Sequence, residues 1–428
     1  MQATLDAIKR TNTIFVSAQP DSVYFHWQVE LYLYQFAKHG LEIADRCYAL
    51  IGYRGQPSAH AKEMAAACKH VILYEDTRDL SVPNFYIPSI RPHLLKQFFT
   101  EHPSLGASVF YHDSDIFLVK MPRFELMLND SISYLSDTIS YIGYEYIKGC
   151  QDRYKAVHKT LADNDLINKM CDCVGISSEL VKINQPNSGG AQYLLKNIDA
   201  AFWTEAETAC QSLYTFTSIY NKTYPIASGL QIWTADMWVV LWLLWKRGGQ
   251  TRIHKDLDFS WGTFTAADYH KFNIFHLAGV TKENCKGKFY KGAYNNKNVF
   301  KEYLLNKHIF DDVSPDNATY EYVAVLKEYA EGQYAPAPVK EHNRFLLESK
   351  DAWSGIYVKD STTSFQKHPL WRSTNGTYFI CFTGTSWILT HKQYEKEMSV
   401  KMGGFAATSA EQPYEGGWNQ PCTIRILS

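Results

Sequence analysis

Val109-Phe-Tyr-His-Asp113-Ser-Asp115-Ile-Phe-Leu-Val119 is an apolar stretch interrupted by two aspartates in the spacing Asp-x-Asp. The residues before the aspartates predict a buried strand, so both carboxylates come at its end. Carboxylates at the edge of a core are costly unless a cation neutralises them. Mn²⁺ or Mg²⁺ would do this and would also bind a diphosphate. We therefore interpret Asp113 and Asp115 as ligands of a divalent metal ion.

The chain before this stretch alternates between apolar strands and helical patterns. Short strands are predicted at three places, over 13–18, 47–52 and 70–74. Strands that alternate with helices are typical of a parallel α/β sheet, whose ligands bind at the carboxyl ends of the strands. Ala18 and Gln19, at the end of the first strand, are therefore predicted to bind the same ligand as Asp113.

Two polar segments in the middle of the chain are further candidates for this ligand site. Asn187-Ser-Gly189-Gly190-Ala-Gln192 has adjacent glycines, which allow a backbone to approach a ligand closely. An ordinary turn before a strand is the alternative interpretation. Asp236 precedes the apolar segment Met237–Trp245, and an acid at a helix N-terminus needs no active site.

A late histidine is the remaining candidate ligand. His276 follows a short apolar segment and begins the pattern His276-x-x-Gly279-x-x-Lys282, with more lysines at Lys286, Lys288 and Lys291. An imidazole can complete a Mn²⁺ site begun by carboxylates, and lysines can bind a diphosphate. A structural histidine at a strand end is the alternative.

Length and charge limit the class of protein. A chain of 428 residues exceeds one typical domain, so a large domain and a smaller one are expected. The net charge of −1 at pH 7 does not fit the basic footprint of a nonspecific nucleic-acid-binding protein.

The location of the protein is predicted from three features. The apolar segment from Met237 to Trp245 is too short to span a bilayer. The N-terminus lacks the basic and apolar regions of a signal peptide. The nine cysteines are scattered and odd in number, which is typical of a reducing compartment. We expect a cytoplasmic protein with no membrane span.

The character of the sequence changes near its C-terminus. Ala335-Pro-Ala-Pro-Val339 predicts a linker over 335–348 between a large domain, 1–334, and a small β-rich module, 349–428. Asn375-Gly376 predicts a hairpin within the module. Four tryptophans, Trp353, Trp371, Trp387 and Trp418, would suit glycan binding, and an aromatic core is the equally strong alternative.

The order of these motifs resembles the plan of retaining GT-A glycosyltransferases of the glycogenin and bacterial galactosyltransferase type. The resemblance covers roughly residues 10–295 and extends in style to uncharacterised glycosyltransferase-like proteins of phages and large viruses. It implies an α/β, Rossmann-like nucleotide-sugar-binding core, a nucleotide-sugar donor with UDP-sugars favoured, and Mn²⁺ or Mg²⁺ as cofactor.

The resemblance also implies roles for individual residues. Asp115 would mainly bind the metal, Asp113 would bind both the metal and the ribose or sugar, and His276 would be the third metal ligand. Arg91 would reach the sugar or phosphate, and Asp236 would orient a hydroxyl group. The sugar pocket would be formed by Asn187, Gly189, Gly190 and Gln192.

The chain departs from that plan in two places. Glu283-Asn284 stands where the family has Pro-Trp, which leaves Lys288 and Lys291 as alternatives to Lys282 for phosphate binding. The segment Thr234-Ala-Asp236 has one acid where the family usually has Asp-Gln-Asp.

The predicted function is metal-dependent sugar transfer from a nucleotide sugar to an acceptor. Three classes of acceptor stay open: a glycan, a protein and a modified nucleic-acid base. A sugar-nucleotidyltransferase is one alternative, but 13–28 lacks the Gly-rich basic loop of that class. A catalytically silent glycan-binding protein is the other.

Overall fold

The structure is a computed structural model. It describes residues 2–163, 165–334, 344–383, 385–397, 406–409, 413, 418–419 and 423–426. The chain divides into two compact units, Met1–Ala335 and Pro336–Ser428. Of the predicted linker over 335–348, residues 335–343 lie outside the described residues, and Arg344–Glu348 is a strand of the second unit.

The strands of the first unit are short and mostly buried. In chain order they are β1 (Ile14–Pro20), β2 (Cys47–Tyr53), β3 (Val71–Glu75), β4 (Ser108–Tyr111), β5 (Ile116–Leu118), β6 (Ser133–Asp137), β7 (Gly189–Lys196), β8 (Thr251–Ile253), β9 (Phe259–Trp261) and β10 (Ile274–His276).

The helices of the first unit alternate with these strands. They are α1 (Gln2–Arg10), α2 (Val23–Ala37), α3 (Leu41–Ala44), α4 (Ala59–Ala67), α5 (Ile90–Glu101), α6 (Ile139–Ile142), α7 (Tyr144–Val157), α8 (Asp165–Val174), α9 (Ser178–Ile183), α10 (Ala200–Thr223), α11 (Ala235–Lys246), α12 (Ala266–Tyr269), α13 (Val299–Leu305) and α14 (Thr319–Tyr329).

The main sheet has the order β3-β2-β1-β4-β7-β6-β8. The strands β3, β2, β1 and β4 are parallel, and β7 is antiparallel to both of its neighbours. Apolar side chains cover both faces of this sheet, as expected for a mainly parallel one. The predicted α/β class of the core is confirmed, and β1 extends to Pro20, two residues beyond the predicted end at Ala18.

A second, three-stranded sheet has the order β5-β10-β9. His276 is the last residue of its central strand, β10. The strand β10 is antiparallel to β5, with His276 opposite Ile116. Because β5 begins directly after Asp115, this register brings His276 beside the Asp-x-Asp segment.

The apolar helix that follows Asp236 is part of the core. In α11 the side chains from Trp238 to Trp245 are all buried. None of the helices among the described residues is both long and apolar enough to cross a membrane.

The second unit is an antiparallel sheet. Its described strands are β11 (Arg344–Glu348), β12 (Gly355–Phe365), β13 (His368–Ser373), β14 (Tyr378–Phe382), β15 (Trp387–His391), β16 (Ala406–Thr408) and β17 (Thr423–Ile426). The order is β16-β15-β14-β13-β12-β11-β17. This confirms the predicted β-rich module.

The tryptophans of this module mostly form its core. Trp353, Trp371 and Trp387 are buried in one apolar cluster, and Trp418 packs against that cluster. Asn375-Gly376 lies in the turn between β13 and β14, where Gly376 has a φ of +70°. The aromatic-core interpretation therefore explains the three buried rings.

Candidate functional site

Strand ends position the two aspartates. The strand β4 ends at Tyr111 and β5 begins at Ile116, so Asp113 and Asp115 lie in the short connection between them. The backbone N–H of Leu277 donates to the carbonyl of Asp115 at 3.0 Å, which ties this connection to the end of β10. The Asp-x-Asp segment and His276 are thus held together by backbone hydrogen bonds.

Three potential metal ligands face one another here. His276 Nε2 lies 3.4 Å from Asp113 Oδ2 and 3.3 Å from Asp115 Oδ1. One ligand atom from each of these residues lies within 4.8 Å of the other two. Two carboxylates and an imidazole form a donor set suited to a divalent cation such as Mn²⁺.

The other carboxylate oxygens are bound to cationic side chains. Arg91 Nη2 donates to Asp113 Oδ1 at 2.7 Å, and Lys291 Nζ donates to Asp115 Oδ2. Each carboxylate therefore has one oxygen on a cation and the other towards His276. A metal ion held by Asp113 Oδ2, Asp115 Oδ1 and His276 Nε2 would use different carboxylate oxygens from those bound to Arg91 and Lys291.

Electrostatics fix the charge states of these partners. Burial raises the pKa of Asp115, but Lys291 and then His276 outweigh it and hold that pKa well below its usual range. Burial lowers the pKa of Lys291, and Asp115 more than reverses this effect. Asp115 and Lys291 are therefore an ion pair at neutral pH.

Gln192 contacts the metal-facing histidine from behind. Its side chain is fully buried, and its amide nitrogen lies 3.3 Å from His276 Nδ1. If His276 Nε2 binds a metal, Nδ1 carries the proton, and the Gln192 amide must present its oxygen to Nδ1. Ser136 Oγ, 3.1 Å from the other end of the amide, can accept from the nitrogen in that orientation. Gln192 is thus placed to orient His276.

Asp236 joins the site through Arg91. It lies in the first turn of α11, where Arg91 Nη1 donates to Oδ2 at 2.9 Å and Tyr86 Oη donates to Oδ1 at 2.7 Å. Arg91 therefore connects Asp113 with Asp236. Burial and then Asp236 raise the pKa of Tyr86, which keeps its hydroxyl protonated.

A cavity of about 350 Å³ opens beside these groups. Asp113, His276, Arg91 and Asp236 line its polar part. Its lining also includes Tyr193, whose buried hydroxyl has no hydrogen-bond partner among the residues that the structure describes. The cavity therefore offers a polar ligand one free buried hydroxyl in addition to the charged groups.

The structure gives some predicted residues a different environment. Gln19 lies inside the sheet, 2% exposed, and its amide donates to the carbonyl of Leu50 at 2.9 Å. Ala18 is also buried in β1. Gly189 and Gly190 belong to β7 rather than to a turn.

Packing accounts for the two glycines of β7. A Cβ on Gly189 would come within 2.4 Å of the Ser136 carbonyl oxygen, and one on Gly190 within 2.4 Å of the Tyr193 hydroxyl. The next residue, Ala191, lines the cavity with a φ of +70°. Such strain in a residue other than glycine is often found at functional sites.

The remaining predicted residues lie outside the charged cluster. Asn187 is half-buried, and its carbonyl accepts from Thr251 Oγ1 at 3.0 Å. Lys282 is exposed, and Lys288 donates to the carbonyl of Asn284 in its own loop. Of the lysines considered, Lys291 is the one that contacts an Asp-x-Asp carboxylate.

Sequence reasoning did not identify the aromatic lining of the cavity. Tyr141, Trp233 and Trp261 contribute to its walls, and so does Tyr193. In a chain with 29 tyrosines and 11 tryptophans, no local pattern distinguishes these residues from core aromatics.

Comparison with known proteins gives matches among solved structures alone. No protein-family profile matches the sequence, and no curated protein matches it. Similar solved structures include a galactosyltransferase, LgtC, with donor and acceptor sugar analogues (TM-score 0.30, 11% identity, 62% of this chain and 87% of that one). Another is the glycosyltransferase GlyE of Streptococcus pneumoniae TIGR4, with a TM-score of 0.32 and 11% identity over 77% of this chain and 65% of that one. A third is the glucosyl-3-phosphoglycerate synthase of Mycobacterium tuberculosis with UDP, with a TM-score of 0.28 and 14% identity over 57% of this chain and 83% of that one.

The predicted resemblance to glycosyltransferases is thus also found among solved structures. With TM-scores from 0.28 to 0.32, these likenesses carry no argument about function.

Proposed function

We propose that this chain is a metal-dependent glycosyltransferase that moves a sugar from a nucleotide-sugar donor to an acceptor hydroxyl. The observation that carries the proposal is the set Asp113 Oδ2, Asp115 Oδ1 and His276 Nε2, which face one another while the outer carboxylate oxygens are bound to Arg91 and Lys291. A bound Mn²⁺ or Mg²⁺ would stabilise negative charge on the leaving diphosphate as a Lewis acid.

The charges of the cluster support a diphosphate ligand. Three carboxylates, Asp113, Asp115 and Asp236, outnumber the cations Arg91 and Lys291. A divalent cation would reverse this net negative charge and leave the site positive. A positive site that contains both a metal and fixed cationic side chains suits a group with the charge of a nucleoside diphosphate.

The proposed reaction exchanges two bonds at one carbon of the sugar. The bond from the anomeric carbon to the diphosphate oxygen breaks, and the nucleoside diphosphate leaves with its electron pair. A bond from the acceptor oxygen to that carbon forms, and the hydroxyl proton is released. Arg91 and Lys291 would bind the diphosphate, and Asp236 would accept a hydrogen bond from a hydroxyl of the sugar or acceptor.

The finer assignments rest on the sequence resemblance. We propose a UDP-sugar as donor, Mn²⁺ as the preferred metal and retention of configuration, the last because the late histidine motif follows the retaining plan.

Hydrolysis of a panel of UDP-, GDP- and CMP-sugars by the full chain tests this proposal. We expect hydrolysis of a UDP-sugar with Mn²⁺, loss of it in EDTA, and recovery when Mn²⁺ is restored. His276→Ala should abolish the metal-dependent rate, whereas His308→Ala, at a side chain that is 83% exposed, should leave it unchanged. Hydrolysis that continues fully in EDTA would contradict the proposal.

A further inference from the structure

Trp233 is a large apolar residue whose side chain is exposed at the surface. Trp233 is 63% exposed and lies in the 3₁₀ turn Ile232–Thr234, which leads into α11. Its carbonyl oxygen lies 2.8 Å from Tyr86 Oη, the hydroxyl that also contacts Asp236. An exposed indole on a fixed backbone is a preformed stacking surface.

Two cavities share this tryptophan. The first is the cavity of about 350 Å³ that contains Asp113 and Asp236. The second, of about 400 Å³, is lined by the loop from Ile226 to Gln231 together with Tyr154 and Asn221. A ligand that passes over Trp233 would therefore occupy both, with one end beside the proposed reaction centre.

The lining of the second cavity is polar and uncharged. Ser228 and Gln231 contribute a hydroxyl and an amide to this lining. The Tyr154 hydroxyl and the Asn221 amide bind each other and the Leu230 backbone, which fixes the wall of the cavity. Among the described lining residues of this cavity there is no carboxylate, ammonium or guanidinium group. Hydroxyls and amides beside an aromatic face match the hydroxyl groups and apolar faces of a neutral sugar.

A charged residue approaches this loop from outside the lining. Arg153 Nε donates to the carbonyl of Ser228 at 3.1 Å, so this guanidinium already has a hydrogen bond to the backbone. The preference for an uncharged ligand rests on the described lining residues, which carry no charge.

We propose that the acceptor is a neutral oligosaccharide that spans both cavities, with one sugar unit stacked on Trp233. This inference rests on the proposed function, because it assigns the acceptor of that reaction. The alternatives to this acceptor are a monosaccharide, a peptide and a nucleic acid.

Binding to oligosaccharides of graded length tests the inference. The full chain, saturated with Mn²⁺ and UDP, is titrated calorimetrically with cello-, malto-, chito- and galacto-oligosaccharides, each as mono-, di- and trisaccharide. In at least one series we expect the trisaccharide to bind about tenfold more tightly than the monosaccharide. No gain with length in any series would overturn the inference, as would tighter binding of a sulfated trisaccharide, a peptide library or a short RNA.

Variants of the shared tryptophan give a second readout. Trp233→Ala should remove the gain with length, and Trp233→Phe, which keeps a ring, should retain most of it. Leu305→Ala, at an exposed residue outside both cavities, is the matched control and should bind as the wild type does. A gain with length that persists in Trp233→Ala would also overturn the inference.

Titration of the wild type with UDP and Mn²⁺ separates the two proposals. If UDP binds only with Mn²⁺ but no oligosaccharide gains affinity with length, the acceptor assignment alone is wrong. If UDP does not bind with Mn²⁺, the proposed function itself is wrong.

Discussion

Lys291 and Asp115 form a largely buried ion pair that leaves one oxygen of Asp115 directed at His276. Nζ of Lys291 donates to Oδ2, whereas Oδ1 lies 3.3 Å from His276 Nε2. The Asp115 side chain is 6% exposed and that of Lys291 is 24% exposed. Because the pair is mostly removed from water, the loss of either charge leaves the other poorly solvated.

Asp115→Asn should therefore cost both metal binding and stability. The variant keeps the size of the side chain but leaves the Lys291 ammonium without its carboxylate. We expect Mn²⁺ binding to be lost and the free energy of unfolding to fall by about 1–3 kcal/mol. Calorimetric titration with Mn²⁺ and urea denaturation measure the two effects.

The double variant Asp115→Asn, Lys291→Met is the control for the stability effect. Removal of the unpaired ammonium should restore much of the lost stability without restoring Mn²⁺ binding. If Asp115→Asn is as stable as the wild type, the ion pair does not contribute as described.

Lys291, rather than Lys282, should bind the diphosphate. Lys291→Met is expected to weaken UDP binding in the presence of Mn²⁺ by about tenfold or more, because a charge-assisted contact is lost. Lys282→Met changes an exposed side chain and should bind UDP as the wild type does. Equal losses in both variants would show that the loop acts only through its overall charge.

Gln192 should control metal affinity through His276. Gln192→Leu removes the group that faces His276 Nδ1, and we expect Mn²⁺ affinity to fall by about 10- to 100-fold. Gln192→Glu keeps an oxygen acceptor and should retain Mn²⁺ binding. Electron paramagnetic resonance of free Mn²⁺ measures both, with Gln211→Leu, which loses a hydrogen bond to the Asn84 carbonyl, as control. Unchanged affinity in Gln192→Leu would contradict this positioning role.

A pH-dependent contribution to stability is expected at His60. The hydrogen bond to Glu30 raises the pKa of His60, and Tyr334 Oη donates to the same carboxylate at 2.6 Å. Because the pKa of His60 is raised in the folded protein, the contact stabilises the fold fully at a pH below about 6.5, the usual pKa of histidine. This stabilisation is lost as the pH rises through the pKa of His60 in the folded protein. The effect is about 0.5 kcal/mol, since the side chains are partly exposed.

Melting temperatures across this pH range check the sign. The wild type should exceed His60→Gln most clearly near about pH 5.5, and the difference should shrink by about pH 8. Glu30→Gln should flatten the profile in the same way. A difference that grows with pH would show that the contact has the opposite sign.

The sequence predicted the core of the candidate site because strand ends are visible in local patterns. Apolar residues before Asp113 and around His276 indicated buried strands that end on polar groups. The pairing of His276 with Ile116 is a contact between distant segments, and only the structure provides it.

Other residues depended on information that local patterns do not contain. Gly189 and Gly190 looked like a turn, but their pairing with a neighbouring strand makes them part of β7. Which lysine reaches Asp115 depends on the path of the loop before Lys291, where Gly287 has a φ of +71°. The exposure of Trp233 could not be predicted, because most of the other tryptophans are buried and Trp261 and Trp418 are partly buried.

Anomalous diffraction from crystals soaked with Mn²⁺ and UDP is the most direct test of the proposed donor site. The account predicts one strong manganese peak in contact with Asp113 Oδ2, Asp115 Oδ1 and His276 Nε2, with the UDP diphosphate bound to it and near Lys291. A manganese peak elsewhere with none at these atoms, or ordered UDP bound away from them, would contradict the central claim.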